Sequence, residues 1–179
     1  MGYRPLRAPC FIPECICRAP ALDLLMKQGD ACPPEQEEMV ARFDRCECAR
    51  LLGMVVRETW PGGARIAMTA EGKRNPNGVV HGGAIFSLAD QAFGLAANTG
   101  PVHQVAVSAT ITYLSPARGD LEAVAEQVSE TEQHSLFLVR VYDGKRLVAT
   151  FDGVGIKEKR AKGARSRPSL GEDIPLKTG

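Results

Sequence analysis

The longest regular pattern of apolar positions lies in the middle of the chain and predicts a helix over residues 82–98. Apolar residues recur there at spacings of three and four, the periodicity of one helical face: Ile85, Leu88, Ala89, Ala92, Phe93 and Ala96. The remaining positions are not polar enough to face water, because Phe86, Gly94, Leu95 and Ala97 fill most of the other side of the helix. A helix that is apolar on every side is typical of the centre of a domain.

The period changes to two after Gly100-Pro101, which predicts strands. Residues 105–113 alternate between a mainly apolar set and a small or polar set, and form one long predicted strand. Further strands are predicted over 119–130, 135–142 and 146–156, with Asp143-Gly144 as a two-residue hairpin turn. Ahead of the central helix, the pattern predicts a helix from Pro33-Pro34 to about Arg50 and strands over 51–60 and 64–70.

This order of elements predicts an α+β fold, with an antiparallel sheet of about six strands wrapped around one apolar helix. Short connections between successive strands favour antiparallel neighbours. The expected domain spans residues 34–157. Residues 1–33, rich in cysteine and proline, are expected to form an irregular extension. Residues 158–179 form a basic tail, which we interpret as a mobile solvated segment or, alternatively, as a segment that binds a phosphorylated ligand or an RNA backbone.

Composition narrows the function without identifying it. The chain has 179 residues and a formal net charge of +1, which suits one domain and argues against a general nucleic-acid binder. No apolar run reaches transmembrane length, and prolines and charges interrupt any secretory signal, so we expect a cytoplasmic protein without a membrane partner. All six cysteines precede residue 50, but their C-x-C pairs do not have the usual spacing of zinc ligands. We expect free thiols, with no metal and no cofactor.

Candidate chemistry begins with Asp90, a carboxylate inside the predicted buried helix. It either caps the amides of a neighbouring loop or acts as a general base or nucleophile whose pKa is tuned by apolar walls. Gly82 and Gly83 stand where the helix should begin, so a ligand can approach its unpaired first amides, as a developing oxyanion requires. His81 either orients this loop and contacts substrate or only caps local backbone groups.

The segment from Asn75 to Asn98, NPNGVVHGGAIFSLADQAFGLAAN, resembles the active-site segment of hotdog-fold acyl-CoA thioesterases, in particular the PaaI-like group named after the phenylacetate-pathway thioesterase. Residues 105–120, VAVSATITYLSPARGD, resemble that group's central strand and the turn after it. The resemblance covers about residues 35–157. It implies a long central helix inside a curved antiparallel sheet, and hydrolysis of an acyl-CoA thioester to a free acid and CoA.

The resemblance also implies roles for individual residues. Asp90 matches the catalytic acid, the Gly82 amide matches the group that polarises the carbonyl, and Asn75 matches a residue that positions the water or the thioester. His81 and Gly83 become candidate substrate-binding residues. Some relatives carry a Ser or Thr one turn after the acid, or on the facing strand, to hold the water. This chain has Gly94 one turn on, and Ala106 beside Ser108 on the strand.

A spacing argument predicts the oligomeric state. Gly82 and Asp90 are eight residues apart, or roughly 12 Å along one helix. A donor and a base must each lie within about 3 Å of one thioester carbonyl, so they must come from two antiparallel helices. We therefore expect a homodimer, or a tetramer built as a dimer of dimers, with active sites at the dimer interface. The family that the chain resembles also builds its sites this way.

Two other functions compete with this interpretation. A hotdog dehydratase would carry a histidine five residues after the aspartate, where this chain has Leu95. A non-catalytic acyl-CoA binder or sensor would keep the fold and the glycines without needing Asp90. The acyl chain of the substrate, aryl or short or medium aliphatic, stays open at this point.

Overall fold

The computed structural model describes residues 34–158. Its elements, in chain order, are α1 (Pro34–Asp44), α2 (Glu47–Leu51), β1 (Met54–Trp60), β2 (Gly63–Met68), α3 (Gly82–Ala97), β3 (Gln104–Tyr113), β4 (Leu121–Glu130), β5 (His134–Asp143) and β6 (Arg146–Lys157). The predicted extension, residues 1–33, and residues 159–179 of the predicted tail lie outside the described residues.

Within residues 34–158 the six strands form one curved antiparallel sheet in the order β1-β2-β4-β5-β6-β3. Helix α3 packs on one face of this sheet, and its buried side chains meet Phe137, Val139 and Phe151 in the core. All six positions predicted for the apolar face of α3 are buried. The predicted α+β fold is confirmed, because the period-three-and-four and period-two patterns both identify surfaces that exclude water.

The first predicted helix is wrong in one respect, because the chain breaks it into α1 and α2 at Arg45–Cys46. The backbone amide of Val56 donates to the Asp44 carboxylate at 3.3 Å, which ties the end of α1 to β1. Leu51 belongs to α2 rather than to the following strand. Gly53 then turns the chain with φ +61°, and β1 starts at Met54. The periodicity of the sequence does not reveal this contact between Asp44 and a residue of β1.

Strand β3 is a sheet edge, whereas the resemblance implied a central strand. Among the described strands it pairs only with β6. A bulge between Ala106 and Ser108 also interrupts the regular alternation predicted for the strand. Ile111 lies opposite the core residue Phe151, while Val105 lies opposite Ile156 on the other face. Most of β3 is exposed, and its outer residues leave a ladder of backbone groups open.

Both ends of β3 are hydrogen-bonded to α3, which runs antiparallel to it. At one end the buried Asn98, which caps α3, accepts from the Gln104 amide at 3.0 Å and donates to the Gln104 carbonyl at 3.1 Å. At the other end the Tyr113 hydroxyl donates to the Gly82 carbonyl at 2.9 Å. The edge strand and the central helix therefore form one unit with a fixed register.

Residues 34–158 contain neither a candidate membrane-spanning helix nor a candidate metal-binding cluster. No helix there is both long and apolar enough to cross a membrane. No group of three or more His, Cys, Asp or Glu side chains in that range is arranged to hold a metal ion. Cys46 and Cys48 are free thiols, and the other four cysteines lie outside the described residues.

Candidate active site

The start of α3 is organised by His81, the residue that caps the helix. Its ring Nδ1 accepts a hydrogen bond from the Gly83 amide at 2.9 Å, so in the neutral ring Nε2 carries the proton. The predicted local capping by His81 is therefore present. The same bond occupies the N–H of Gly83, the predicted substrate-binding residue.

Unlike the Gly83 amide, the Gly82 amide has no hydrogen-bond acceptor among the described residues. Its carbonyl accepts the hydroxyl of Tyr113. A Cβ at position 82 would lie 3.2 Å from the Tyr113 ring and hydroxyl, so glycine is what lets the tyrosine approach this closely. The first turn of α3 thus presents one free amide, at the positive end of the helix dipole, on a backbone anchored from β3.

Asn75 shapes the loop ahead of α3. Its carboxamide oxygen accepts from the Asn77 amide at 2.9 Å and from the Val79 amide at 3.4 Å, an Asx-type turn. Its own backbone amide donates to the Val79 carbonyl at 2.8 Å. The side-chain NH₂ makes no hydrogen bond within residues 34–158. This half-buried donor is therefore available to a water or a thioester.

Asp90 is exposed on the isolated chain, so the prediction of a buried carboxylate is wrong. The cause is a stripe of small or polar residues along one side of α3, which the sheet does not cover: Gly83, Ser87, Asp90 and Gly94. The Asp90 carboxylate makes no hydrogen bond or ion pair with any described residue. Among those residues, the loop-capping interpretation has no support.

The electrostatics of Asp90 suit a base. Although the residue is exposed as a whole, the protein atoms packed around its carboxyl raise its pKa above the ordinary value of 3.8. Partial burial is the only cause, because no cation or hydrogen-bond donor favours the charged form. A carboxylate with a raised pKa binds a proton more readily, which is what a general base must do.

The residues on either side of Asp90 close part of the open stripe. One turn later, the ring of Phe43 on α1 lies 3.4 Å from where a Cβ of Gly94 would stand, and Gln91 Nε2 donates to the Phe43 carbonyl at 3.2 Å. One turn earlier, the Ser87 hydroxyl donates to the Gly83 carbonyl at 2.9 Å. The site predicted for a water-holding hydroxyl is thus filled by α1, and Ser87 supplies the hydroxyl nearest in sequence.

Sequence reasoning missed Tyr113 and Ser87 as parts of this site. The signal for Tyr113 was its position at the end of the predicted strand, but its partner lies 31 residues away. The signal for Ser87 was a hydroxyl three residues before the acid, on the same side of a helix. Neither contact follows from the local pattern alone.

Comparisons with known proteins identify the family to which this chain belongs. A model of the thioesterase superfamily matches residues 77–150. The acyl-coenzyme A thioesterase PaaI of Escherichia coli is 32% identical over 117 residues, which cover 63% of this chain and 84% of that protein. The chain belongs to the thioesterase superfamily.

Solved structures assign this thioesterase to the PaaI-like hotdog group. The E. coli PaaI protein from the phenylacetic acid degradation operon superimposes with a TM-score of 0.65 at 28% identity, covering 70% of this chain and 94% of that one. A point mutant of the phenylacetic acid degradation protein PaaI from Thermus thermophilus gives a TM-score of 0.58 at 33% identity, covering 62% and 97%. The chain is accordingly a PaaI-like thioester hydrolase of the hotdog fold.

Proposed function

We propose that this thioesterase hydrolyses acyl-CoA to a free acid and CoA at a composite site. In this proposal the Gly82 amide and Asn75 come from one subunit of a twofold dimer and Asp90 from the other. The observation that carries the proposal is the state of Asp90: among described residues it is unpartnered, its pKa is raised, and it stands on the same open stripe as the helix start.

The exposed edge of β3 supports the dimer. Val107 and Tyr113 on this strand are 54% and 51% exposed, which is high for apolar and aromatic residues of a strand. A twofold axis that pairs two copies of β3 makes them antiparallel. Because α3 is antiparallel to β3 in each subunit, the two α3 helices then also run antiparallel. In this arrangement the start of α3 in one subunit can approach the middle of α3 in the other subunit. Each helix then covers the stripe that carries Asp90 on its partner.

The chemistry needs only the groups named. The Gly82 N–H donates to the thioester oxygen and stabilises the oxyanion as the carbonyl carbon is attacked. Asp90 either takes a proton from the attacking water or attacks directly to give a mixed anhydride, which water then hydrolyses. The C–S bond breaks, and the CoA thiolate leaves without a strong general acid. The Asn75 NH₂ is a suitable donor to hold the water or the carbonyl.

The test is hydrolysis of a panel of acyl-CoAs by the full chain, with released CoA detected by a thiol reagent. We expect turnover by the wild-type chain and a loss of at least about a hundredfold in Asp90→Asn, the usual scale for a general base. Asp152→Asn is the matched control, because Asp152 is an exposed aspartate on β6. Binding of acyl-CoA without release of thiol would favour the sensor instead, and near-normal turnover of Asp90→Asn would assign Asp90 no catalytic part.

A further inference from the structure

A cleft of ≈ 340 Å³ lies beside the start of α3, and the proposed chemistry leaves it unused. His81, Gly83 and Ser87 form its wall on the side of the helix. Lys73 and Arg74, from the loop between β2 and α3, form the opposite part of its lining. The cleft therefore joins the proposed position of the thioester to two cationic side chains.

Both cations are held in place, yet neither is neutralised by a described carboxylate. Lys73 Nζ donates to the Glu71 carbonyl at 2.9 Å and to the Thr69 hydroxyl at 3.3 Å. The Arg74 guanidinium donates to the carbonyls of Gly78 and Arg118 at 3.0 and 2.8 Å. Four other cations of residues 34–158 do pair with carboxylates: Arg65, Arg140, Arg146 and Lys157.

Fixed cations without a counter-charge are suited to bind an anion. Lys73 uses two of its three N–H donors and Arg74 two of its five, so each keeps donors for a ligand. Arginine and lysine side chains are the usual ligands of phosphate oxygens, and the positive end of α3 adds to the same field. A phosphorylated group is the anion that an acyl-CoA brings to this position.

We propose that Lys73 and Arg74 bind the phosphate groups of CoA, with the pantetheine arm lying in the cleft between them and the helix start. This assignment rests on the proposed function, since it names the residues that bind the CoA leaving group at the same site. The cleft then selects for a phosphorylated thiol carrier rather than for a particular acyl chain, because its lining contacts the carrier and not the acyl group.

The experiment compares the full-length wild-type chain with the Lys73→Gln/Arg74→Gln double variant on two thioesters that share one acyl group, an acyl-CoA and the corresponding acyl-pantetheine. We expect the KM for acyl-CoA to rise about tenfold, which is the loss of about 1.4 kcal/mol of binding. The KM for acyl-pantetheine and both kcat values should stay within about twofold. Raising the salt concentration should raise the wild-type KM for acyl-CoA more than that of the variant.

Lys145→Gln is the control, because it removes one exposed cation at the β5–β6 hairpin and should change neither KM. An unchanged KM for acyl-CoA in the double variant would overturn the assignment. An equal rise for both thioesters would also overturn it, because it would mean that the two side chains only support the loop that carries Asn75. Calorimetric titration with free CoA and with pantetheine tests the cleft independently of hydrolysis. Weaker binding of CoA alone supports the cleft even if no thioester is cleaved, and unchanged CoA binding overturns it.

Discussion

Activity should be recoverable by mixing two inactive variants, because the separation of Gly82 from Asp90 cannot be closed within one chain. Eight residues of helix correspond to roughly 12 Å, against the approach of about 3 Å that each group needs to one carbonyl. A chain carrying Asp90→Asn keeps the donor half of the site, and a chain with a defective Asn75 keeps the acid half. The mixed dimer should therefore contain one intact site.

The structure guides the choice of the second variant. Asn75→Ala would remove the oxygen that accepts from the Asn77 and Val79 amides, and so would disturb the turn as well as the donor. Asn75→Asp keeps an oxygen for these two bonds and replaces the NH₂ donor with a second carboxylate oxygen, which is negatively charged and accepts rather than donates. Each variant alone should be nearly inactive while it melts cooperatively as a folded protein.

The expected recovery follows from counting. After unfolding and refolding an equal mixture, random pairing gives mixed dimers in about half of the population, each with one intact site of two, so about a quarter of native activity returns. The assay is thiol release at saturating acyl-CoA, with native mass spectrometry to quantify the mixed dimer. Full exchange of subunits with activity no higher than that of the parents would refute the composite site.

Two further predictions concern Asp90 and Tyr113. Because partial burial raises the Asp90 pKa, kcat should fall on acidification with a midpoint above 3.8, and a midpoint at or below that value would exclude Asp90 as the base. The pKa of Asp90 is higher in the folded chain than in the unfolded chain, so between these two pH values the unfolded chain binds fewer protons at Asp90 and the stability of the fold decreases as pH rises. Asp90→Asn should therefore have a higher Tm than wild type above this pH interval and the same Tm below it, at fixed protein concentration. Tyr113→Phe should lower kcat by about two- to tenfold while the chain still folds, the value of one hydrogen bond to the Gly82 carbonyl; unchanged kcat would mean that the carbonyl needs no anchor.

The sequence predicts the fold well because its two periodicities describe surfaces that exclude water. Leu88 and Phe93 on α3, and Phe137 and Phe151 on the sheet, are at most 1% exposed. The start of α3 was predictable for a similar reason, since two glycines after a histidine at the beginning of an apolar run leave a helix terminus open. These features depend on residues that are close together in the sequence.

The remaining features depend on contacts between distant parts of the chain. The break after Asp44 comes with a hydrogen bond from Val56 of β1, and the edge position of β3 follows from the strand order. The bulge after Ala106 is a one-residue shift that an alternating pattern of small residues conceals. The sequence motif around Asn75 pointed to chemistry, but only the structure identifies its carboxamide oxygen as part of a turn and its NH₂ as available.

The exposure of Asp90 is the most informative failure of the sequence pattern. Apolar residues on all sides of α3 predicted a buried central helix, yet Gly83 and Ser87 leave the side around Asp90 open. The small residues of this stripe would allow a second subunit to approach the helix closely, and homodimer interfaces are more apolar than the rest of a protein surface. On this argument the small residues around Asp90 and the exposed apolar residues of β3 have one cause. The same partner that covers them would desolvate Asp90 further, raise its pKa again and bring it to the free Gly82 amide.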